Sequence, residues 1–383
     1  MKILVVDHNA VDPLSQSLYR AISEEGDILV RVIVPALWFD NFRTVRAEAV
    51  REGEGFEVVP LPVLLHTRTH RLLYRGIRAQ LREFRPDVLY VNADPENFQT
   101  LECALLCGRH SGVRFVFSTW RNIEYPRDDF PYRLSVLHGL AERFVLRRAD
   151  HGVAFVPEAP AIFSHLGFDR ITFIPPELDT SVFTPVSPPK INRGDLFNVV
   201  YAGRLHPLKG IDVLFDAMAG LPADFRLTVV GAGPEEGALR KRCTSLGLDD
   251  RVEWREPVLR SRMPEVLKEM DVLVLPSRTG QYWKEQFGRV LVEAMACGVP
   301  VIGSSSGAIP AVIGEAGLVV PEGDIQGFRD ALLKLRIDPG LRQQLIVKGL
   351  SRVLKEYAIP VVAERYRRLI RSIMGRSVHS LDI

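Results

Sequence analysis

Short apolar runs, almost uninterrupted by polar positions, recur along the chain. ILVV at 3–6 is the first, and LVRVIV (29–34), FEVV (56–59), DVLYV (87–91), FVF (115–117), GVAFV (152–156) and ITFI (171–174) follow. Runs of this kind mark strands buried on both faces of a parallel sheet. Helical stretches are predicted between them, over 14–23, 70–84 and through 101–106. The βαβ alternation predicts a doubly wound sheet. At 185–194 the pattern stops: PVSPPKINRG holds three prolines and no periodicity. A second series then begins, with strands at 198–202, 227–230, 252–254, 272–275 and 301–302. The expected organisation is a Rossmann-like domain over 1–185, a linker over 186–194, a second Rossmann-like domain over 195–358, and a segment 359–383. The helix expected at 360–374 is long enough to pack back on the first domain. The fold class is α/β, two doubly wound domains facing a central cleft, with ligands expected at the carboxyl ends of the strands.

Length supports this division, since 383 residues exceed one typical core. With 46% hydrophobic and 25% charged residues the chain has the composition of an ordinary globular protein. A formal net charge of +2 argues against a dedicated nucleic-acid binder. Cys103, Cys107, Cys243 and Cys297 sit in apolar contexts and read as reduced core residues, without the spacing of a disulfide frame or zinc site. The first residues form a strand and not a signal peptide. No run reaches the ~18 apolar residues of a membrane span, so a cytoplasmic protein is expected.

One stretch concentrates the candidate chemistry. DVLVLPSRTGQYWKEQFGRVLVEAMACGVP, residues 271–300, holds a buried strand, a polar and aromatic loop, and an apolar helix over about 288–297 stopped by Gly298 and Pro300. Glu285 lies just before that helix and Glu293 within it, among Val290, Leu291, Val292, Ala294 and Met295. A carboxylate in such a setting is costly unless something satisfies it. Either acid alone could be a solvated or capping residue, favoured in the first turns of a helix. Together, around Phe287-Gly288, they suggest a ligand site. Upstream, AGRLHPLKG (202–210) places Arg204 and Lys209 on one strand-to-helix turn, where a planar fork and a point charge suit a phosphate group. The helix start at Gly288 adds free N–H groups to the same end of the sheet.

The set AGRLHPLKG, VVGAGPEEGALR and EQFGRVLVEAMACGVPVIGSSSGAIP resembles the donor-binding domain of retaining glycosyltransferases of family 4, which have the GT-B fold. Glu285 and Glu293 are similar in spacing to that family's E-x7-E motif. The resemblance implies that Arg204 and Lys209 hold the diphosphate of a nucleoside-diphosphate sugar, a UDP- or GDP-sugar. It implies that Glu293 accepts hydrogen bonds from ribose hydroxyls. Glu285 would contact the donor sugar, while backbone N–H groups of Phe287 and Gly288 orient sugar hydroxyls and phosphate. Gly203, Gly231 and Gly233 would form close turns by the nucleotide, and the loop reaching Val258 would pass the nucleobase. No cofactor or metal is implied; Asp94 and Asp128-Asp129 read as loop acids. An acceptor, a lipid-linked or small molecule, would bind on the first domain, where Asn92, Trp120 and Asn122 are the candidate residues. Trp120 could stack on a sugar face or simply pack.

The chain departs from the family in three places. Its first turn, DHNAVDP, lacks glycine; Thr119-Trp120-Arg121-Asn122 stands where relatives often carry a His; Ala311 replaces a common Glu. These departures bear on the acceptor and on part of the sugar-hydroxyl recognition. Three alternatives stay open. A sugar-nucleotide epimerase or phosphorylase of the same fold is disfavoured by the Glu pair and the Arg/Lys pair. A nicotinamide oxidoreductase is disfavoured because Gly231-x-Gly233 is followed by Glu236, not glycine. A nucleotide-sugar-binding protein without transferase activity is the third. Finally, HRLLYRGIRAQLREF (70–84) predicts a helix with Arg71, Arg75, Arg78 and Arg82 on one face, which is either solvated or a peripheral contact to anionic membrane lipids.

Overall fold

The structure, a computed structural model, describes residues 1–39, 44–53, 55–65, 69–108, 112–125, 130–132, 134–185 and 196–375. The expected linker and Asp128-Asp129 lie outside them. Two compact units divide the chain: Met1–Glu177 with the segment from Ile359, and Leu178–Ala358.

The first unit is built on β1 (Lys2–Val6), β2 (Leu29–Pro35), β3 (Leu37–Phe39), β4 (Thr44–Arg46), β5 (Val50–Glu52), β6 (Phe56–Leu61), β7 (Val63–Leu64), β8 (Leu73–Tyr74), β9 (Val88–Val91), β10 (Arg114–Thr119), β11 (His151–Ala154) and β12 (Ile171–Phe173). Its main sheet runs β12-β11-β10-β9-β1-β2-β6-β5. All its neighbours are parallel except β5, which pairs antiparallel with β6 at one edge. Helices α1 (Ser17–Ser23), α2 (Ile77–Phe84), α3 (Phe98–Cys107), α4 (Ser135–Arg148) and α5 (Ala159–His165) accompany the strands. β1 shows why its run is continuously apolar: Leu4 and Val6 join the core on one face, Ile3 and Val5 that on the other.

The second unit holds β13 (Phe197–Ala202), β14 (Phe225–Val230), β15 (Val252–Arg255), β16 (Val272–Leu275), β17 (Val301–Ser304) and β18 (Leu318–Val320) in one parallel sheet, ordered β15-β14-β13-β16-β17-β18. Its helices are α6 (Ile211–Ala219), α7 (Glu236–Ser245), α8 (Met263–Leu267), α9 (Arg289–Ala296), α10 (Ile309–Ile313), α11 (Ile325–Ile337) and α12 (Pro339–Arg352). The last helix, α13 (Ile359–Ile373), returns to the first unit, where Val362, Ala363, Tyr366 and Ile370 enter the same core as Ile3 and Val5.

Two expectations are corrected. Residues 178–185, placed by sequence in the first domain, belong to the second unit. Leu178 N–H bonds Tyr357 O at 2.7 Å, Lys268 Nζ reaches Thr184 Oγ1 at 2.9 Å, and Phe183 is buried. The single helix over 70–84 does not form. Residues Thr69–Arg71 make a 3-10 turn, β8 pairs antiparallel with β7, and α2 starts only after Gly76. Gly76 adopts φ +117°, which ends any helix running into it. Of the four arginines only Arg78 and Arg82 share a helix. The one-faced basic helix proposed for membrane contact is therefore absent.

Among the described residues no helix is long and apolar enough to cross a membrane. Cys103, Cys107, Cys243 and Cys297 are free and buried.

Candidate functional site

In the second sheet β13 is followed in sequence by β14 on one side, while β16 lies on its other side. The crevice above the carboxyl ends of β13 and β16 is thus a topological switch point, where ligands of doubly wound sheets bind. The loops after these two strands are forced together. Gly210, at φ +65°, has its Cα so close to the β16 loop that a Cβ would stand 2.0 Å from Pro276 O. Arg278 N–H donates to Leu208 O at 2.7 Å beside it. His206 caps the 3-10 turn Pro207–Lys209 through its side chain.

This crossing brings Lys209 and Glu285 into contact. Lys209 Nζ lies 2.7 Å from Glu285 Oε2 and 4.7 Å from the centre of the Trp283 ring. Ser277 Oγ donates to the same carboxylate oxygen at 2.6 Å. Glu285 is only 6% exposed, so the pair works in a medium of reduced dielectric and is stronger than a surface ion pair. The Glu285 backbone is fixed from the loop after β17. Ala308 N–H donates to Glu285 O at 3.0 Å, and a Cβ on Gly307 (φ +50°) would meet that oxygen at 2.0 Å. Backbone and carboxylate are therefore both held in place.

Glu293 lies on α9, 6% exposed, and the partner its apolar setting demands is Arg260, whose Nε is 3.0 Å from Glu293 Oε1. Gly288 caps α9 at φ +76° and, as a glycine, brings no side chain of its own over the first N–H groups of the helix. Phe287 is buried, its ring edge-on to Tyr357 at 5.6 Å. Arg204 is exposed, and its carbonyl accepts from the Tyr201 hydroxyl at 2.8 Å. Val258 is half-buried on the loop after β15.

Gly203, Gly231 and Gly233 have a structural reason of their own. A Cβ on Gly231 would stand 1.9 Å from Gly203 O, and one on Gly233 2.1 Å from Leu205 O. The loops after β13 and β14 pack backbone against backbone here, tied by Leu205 N–H to Ala232 O at 3.0 Å. Their lack of side chains is what lets the loop carrying Arg204 sit where it does.

In the first unit the switch point falls between β1 and β9. Asn92, at the end of β9, donates to Asp7 Oδ2 at 2.8 Å and accepts from Ser118 Oγ at 2.7 Å; Tyr19 OH also bonds Asp7. The Trp120 ring packs on Phe155, centroids 4.7 Å apart, and the Trp120 backbone N–H bonds Asp94 Oδ1 at 3.0 Å. Asn122 is buried. Beneath them lies a charge cluster the sequence did not suggest. Arg121 is bonded to Glu142, and Asp94 and Glu96 also act on its charge; all but Asp94 are under a tenth exposed. Burial, reinforced by Asp94, pushes the Glu96 carboxyl up to about 8. Among the described residues no group of three or more His, Cys, Asp or Glu side chains could hold a metal ion.

Of the residues singled out from sequence, the structure brings Lys209 and Glu285 together and pairs Glu293 with Arg260, while Ser277, Trp283 and Arg260 beside them are not singled out by the sequence. Ser277 and Trp283 sit in the polar, aromatic loop after β16, a weak signal. Arg260 lies 33 positions before Glu293, and no local pattern links them. Arg260→Ala leaves a buried carboxylate without its cation and is expected to destabilise the fold by about 1–3 kcal/mol. Glu293→Gln, which keeps an acceptor for Arg260, should destabilise less; urea midpoints rank the two, and the opposite order would contradict this pairing.

Residues 197–338 match the family described as glycosyl transferases group 1. A D-inositol 3-phosphate glycosyltransferase of Mycobacteroides abscessus is 32% identical over 238 residues, 58% of this chain and 51% of that protein. A GDP-mannose-dependent monoacylated alpha-(1-6)-phosphatidylinositol monomannoside mannosyltransferase of Corynebacterium glutamicum is 32% identical over 230 residues, 55% of this chain and 58% of that protein. The chain spans about half the length of these curated relatives. Among solved structures, sucrose-phosphate synthase from Thermosynechococcus elongatus aligns with a TM-score of 0.74 at 20% identity, covering 98% of this chain and 100% of that one. Anabaena HepE in complex with UDP-glucose aligns with a TM-score of 0.70 at 18% identity, covering 97% and 100%. The chain thus has the GT-B fold, with residues 197–338 of its second unit matching the glycosyl transferases group 1 family.

Proposed function

We propose that the chain is a retaining glycosyltransferase of the family 4 type, moving a sugar from a nucleoside-diphosphate sugar to an acceptor hydroxyl in glycan, glycolipid or glycoside biosynthesis. The observation that carries this reading is the Lys209–Glu285 pair, buried at the switch point of a unit matching glycosyl transferases group 1. In this reading the donor diphosphate lies against Lys209, the Arg204 guanidinium and the start of α9 at Gly288. Their positive ends neutralise the charge that develops as the nucleoside diphosphate departs, and that electrostatic stabilisation supplies most of the rate gain in such a transfer. Glu285, oriented by Lys209 and Ser277, faces the sugar, and Glu293 holds the ribose.

The step itself breaks the bond between the anomeric carbon and the phosphate oxygen. The acceptor oxygen bonds that carbon on the same face, and its proton passes to a donor phosphate oxygen. Asn92, Trp120 and Asn122 are assigned to the acceptor side, for a lipid-linked or small-molecule acceptor. The reaction as written uses no cofactor or metal.

The test is nucleoside-diphosphate release together with thermal stabilisation across a panel of sugar nucleotides. UDP- and GDP-sugars form its two arms, since HepE is solved with UDP-glucose and the Corynebacterium relative depends on GDP-mannose. A donor at 100 times its Kd should stabilise the chain by about 2.7 kcal/mol. Stabilisation by no sugar nucleotide, or by dinucleotides only, would refute the reading.

A further inference from the structure

A lysine is a poorly fixed cation. Its ammonium is a point charge on a flexible stem with rotatable donors, and ordering that stem costs side-chain entropy. At Lys209 two groups hold the ammonium. Glu285 Oε2 accepts from Nζ at 2.7 Å, and Nζ also lies over the Trp283 ring, 4.7 Å from its centre. The lysine side chain is 19% exposed. Trp283 is half-buried, and a tryptophan face is the aromatic surface that attracts a cation best.

The turn that presents this ring is braced from three neighbouring loops. Gly280 N–H donates to Trp283 O at 2.7 Å, closing residues 280–283 on themselves. A Cβ on Gly280 would stand 3.0 Å from the Leu208 side chain, so the turn lies directly on the residue before Lys209. Thr279 donates from its N–H and from its hydroxyl to the two carboxylate oxygens of Glu322, each at 2.6 Å. Its hydroxyl also meets Ser306 Oγ at 3.1 Å. Leu208 follows β13, Ser306 follows β17 and Glu322 follows β18. Ring and lysine are thus held in one frame.

We propose that Trp283 is a positioning residue for sugar transfer, which rests on the assignment of Lys209 to the donor diphosphate. The Trp283 ring and the Glu285 carboxylate fix the Lys209 ammonium before the donor arrives. An ammonium has three N–H donors, and a phosphate oxygen then meets one already set in place. A charge that needs no reordering at the moment of reaction stabilises the departing diphosphate most. Trp283 acts through Lys209 and transfers no proton. Leucine at 283 would fill much of the space without a ring face, and phenylalanine would keep a smaller face.

Binding of UDP and GDP to the full chain tests this, with circular dichroism to show that each variant keeps the parent fold. Trp283→Leu should weaken whichever nucleoside diphosphate the parent binds by about 3–30-fold, the span of a partly desolvated cation–π contact. Trp283→Phe should recover most of that loss. Nucleoside-diphosphate release from UDP-glucose or GDP-mannose should fall in the same order. In a Lys209→Met background Trp283→Leu should slow release no further, whereas a ring touching the donor itself would slow it again. Fluorescence checks the contact without any donor: the emission that Trp283→Phe removes should differ between the parent and Lys209→Met. Parent-like binding by Trp283→Leu, equal losses in the Leu and Phe variants, an additive loss in the double variant, or unchanged emission overturns the proposal and leaves the donor site standing. A parent that binds no nucleoside diphosphate and turns over no sugar nucleotide overturns both.

Discussion

Lys209→Ala and Glu285→Ala each lower the transfer rate by about 10²–10³-fold or more, the loss that follows removal of one preorganised electrostatic group at a reacting centre. The two residues share a bond of 2.7 Å, so their effects on folding and on rate must be separated. Removing Lys209 takes a cation at 2.7 Å from Glu285, a residue only 6% exposed, which destabilises by about 1–3 kcal/mol. Removing both takes the buried carboxylate away as well, so the double variant recovers part of that stability. Activity divides the readings. If the pair served folding alone, the double variant would recover rate together with stability. If Lys209 meets the donor phosphate and Glu285 the sugar, the double variant stays inactive while melting near the parent. Thermal stabilisation by nucleoside diphosphate gives the second axis: Lys209→Ala should lose it and Glu285→Ala largely keep it, because only the lysine is assigned to phosphate. Retained transfer in both single variants would refute the site.

What could be read in advance follows from how local each determinant is. β1, β9, β13 and β16 are buried on both faces, so their sequences are continuously apolar and the parallel sheets were legible from them. The hairpin β7–β8 and the edge strand β5 are two or three residues long; runs that short carry no period. The 70–84 stretch shows the failure in detail. Arginine spacing imitates a helix face there, and Leu73-Tyr74 looks helical until β7 offers it a partner. At the candidate site Lys209 and Glu285 stand out as charges at strand ends. Their meeting depends on Gly210 letting one loop lie on Pro276 O, a tertiary event that only the backbone geometry displays. Gly231 and Gly233, taken as a nucleotide turn, are equally required by the carbonyls of Gly203 and Leu205. Arg260 and the buried cluster around Arg121 rest on pairings between separate elements, which no single-sequence period encodes.

That buried cluster is expected to make folding depend on pH. Glu96 is 2% exposed, with Oε2 buried and unpaired, and its carboxyl is raised from 4.5 to about 8 by burial and then by Asp94, against the lowering effect of Arg121. A folded-state value above the unfolded one means that the folded chain keeps a proton which the unfolded chain has released. For an acid, that stabilisation is whole below about pH 4.5 and is lost as pH rises toward 8, by up to about 1.4 kcal/mol per pH unit. Burial lowers His8, His138 and His151 below 6.5, so these act with the opposite sign and only beneath that pH. The interval from about 6.5 to 8.5 therefore leaves the histidines aside, and comparing a Glu96 variant with the parent separates this carboxyl from Asp94, Glu102 and Glu142, which burial also raises. Glu96→Gln puts a neutral amide where the protonated acid stood, beside Asp94, Arg121 and Glu142. The variant should lose less stability than the parent between pH 6.5 and 8.5, and should become the more stable of the two at the upper end by on the order of 1–3 kcal/mol. Urea midpoints at the two ends measure both slopes. Parallel slopes would mean that Glu96 is already ionised at pH 6.5, with Arg121 holding its charge as well as that of Glu142.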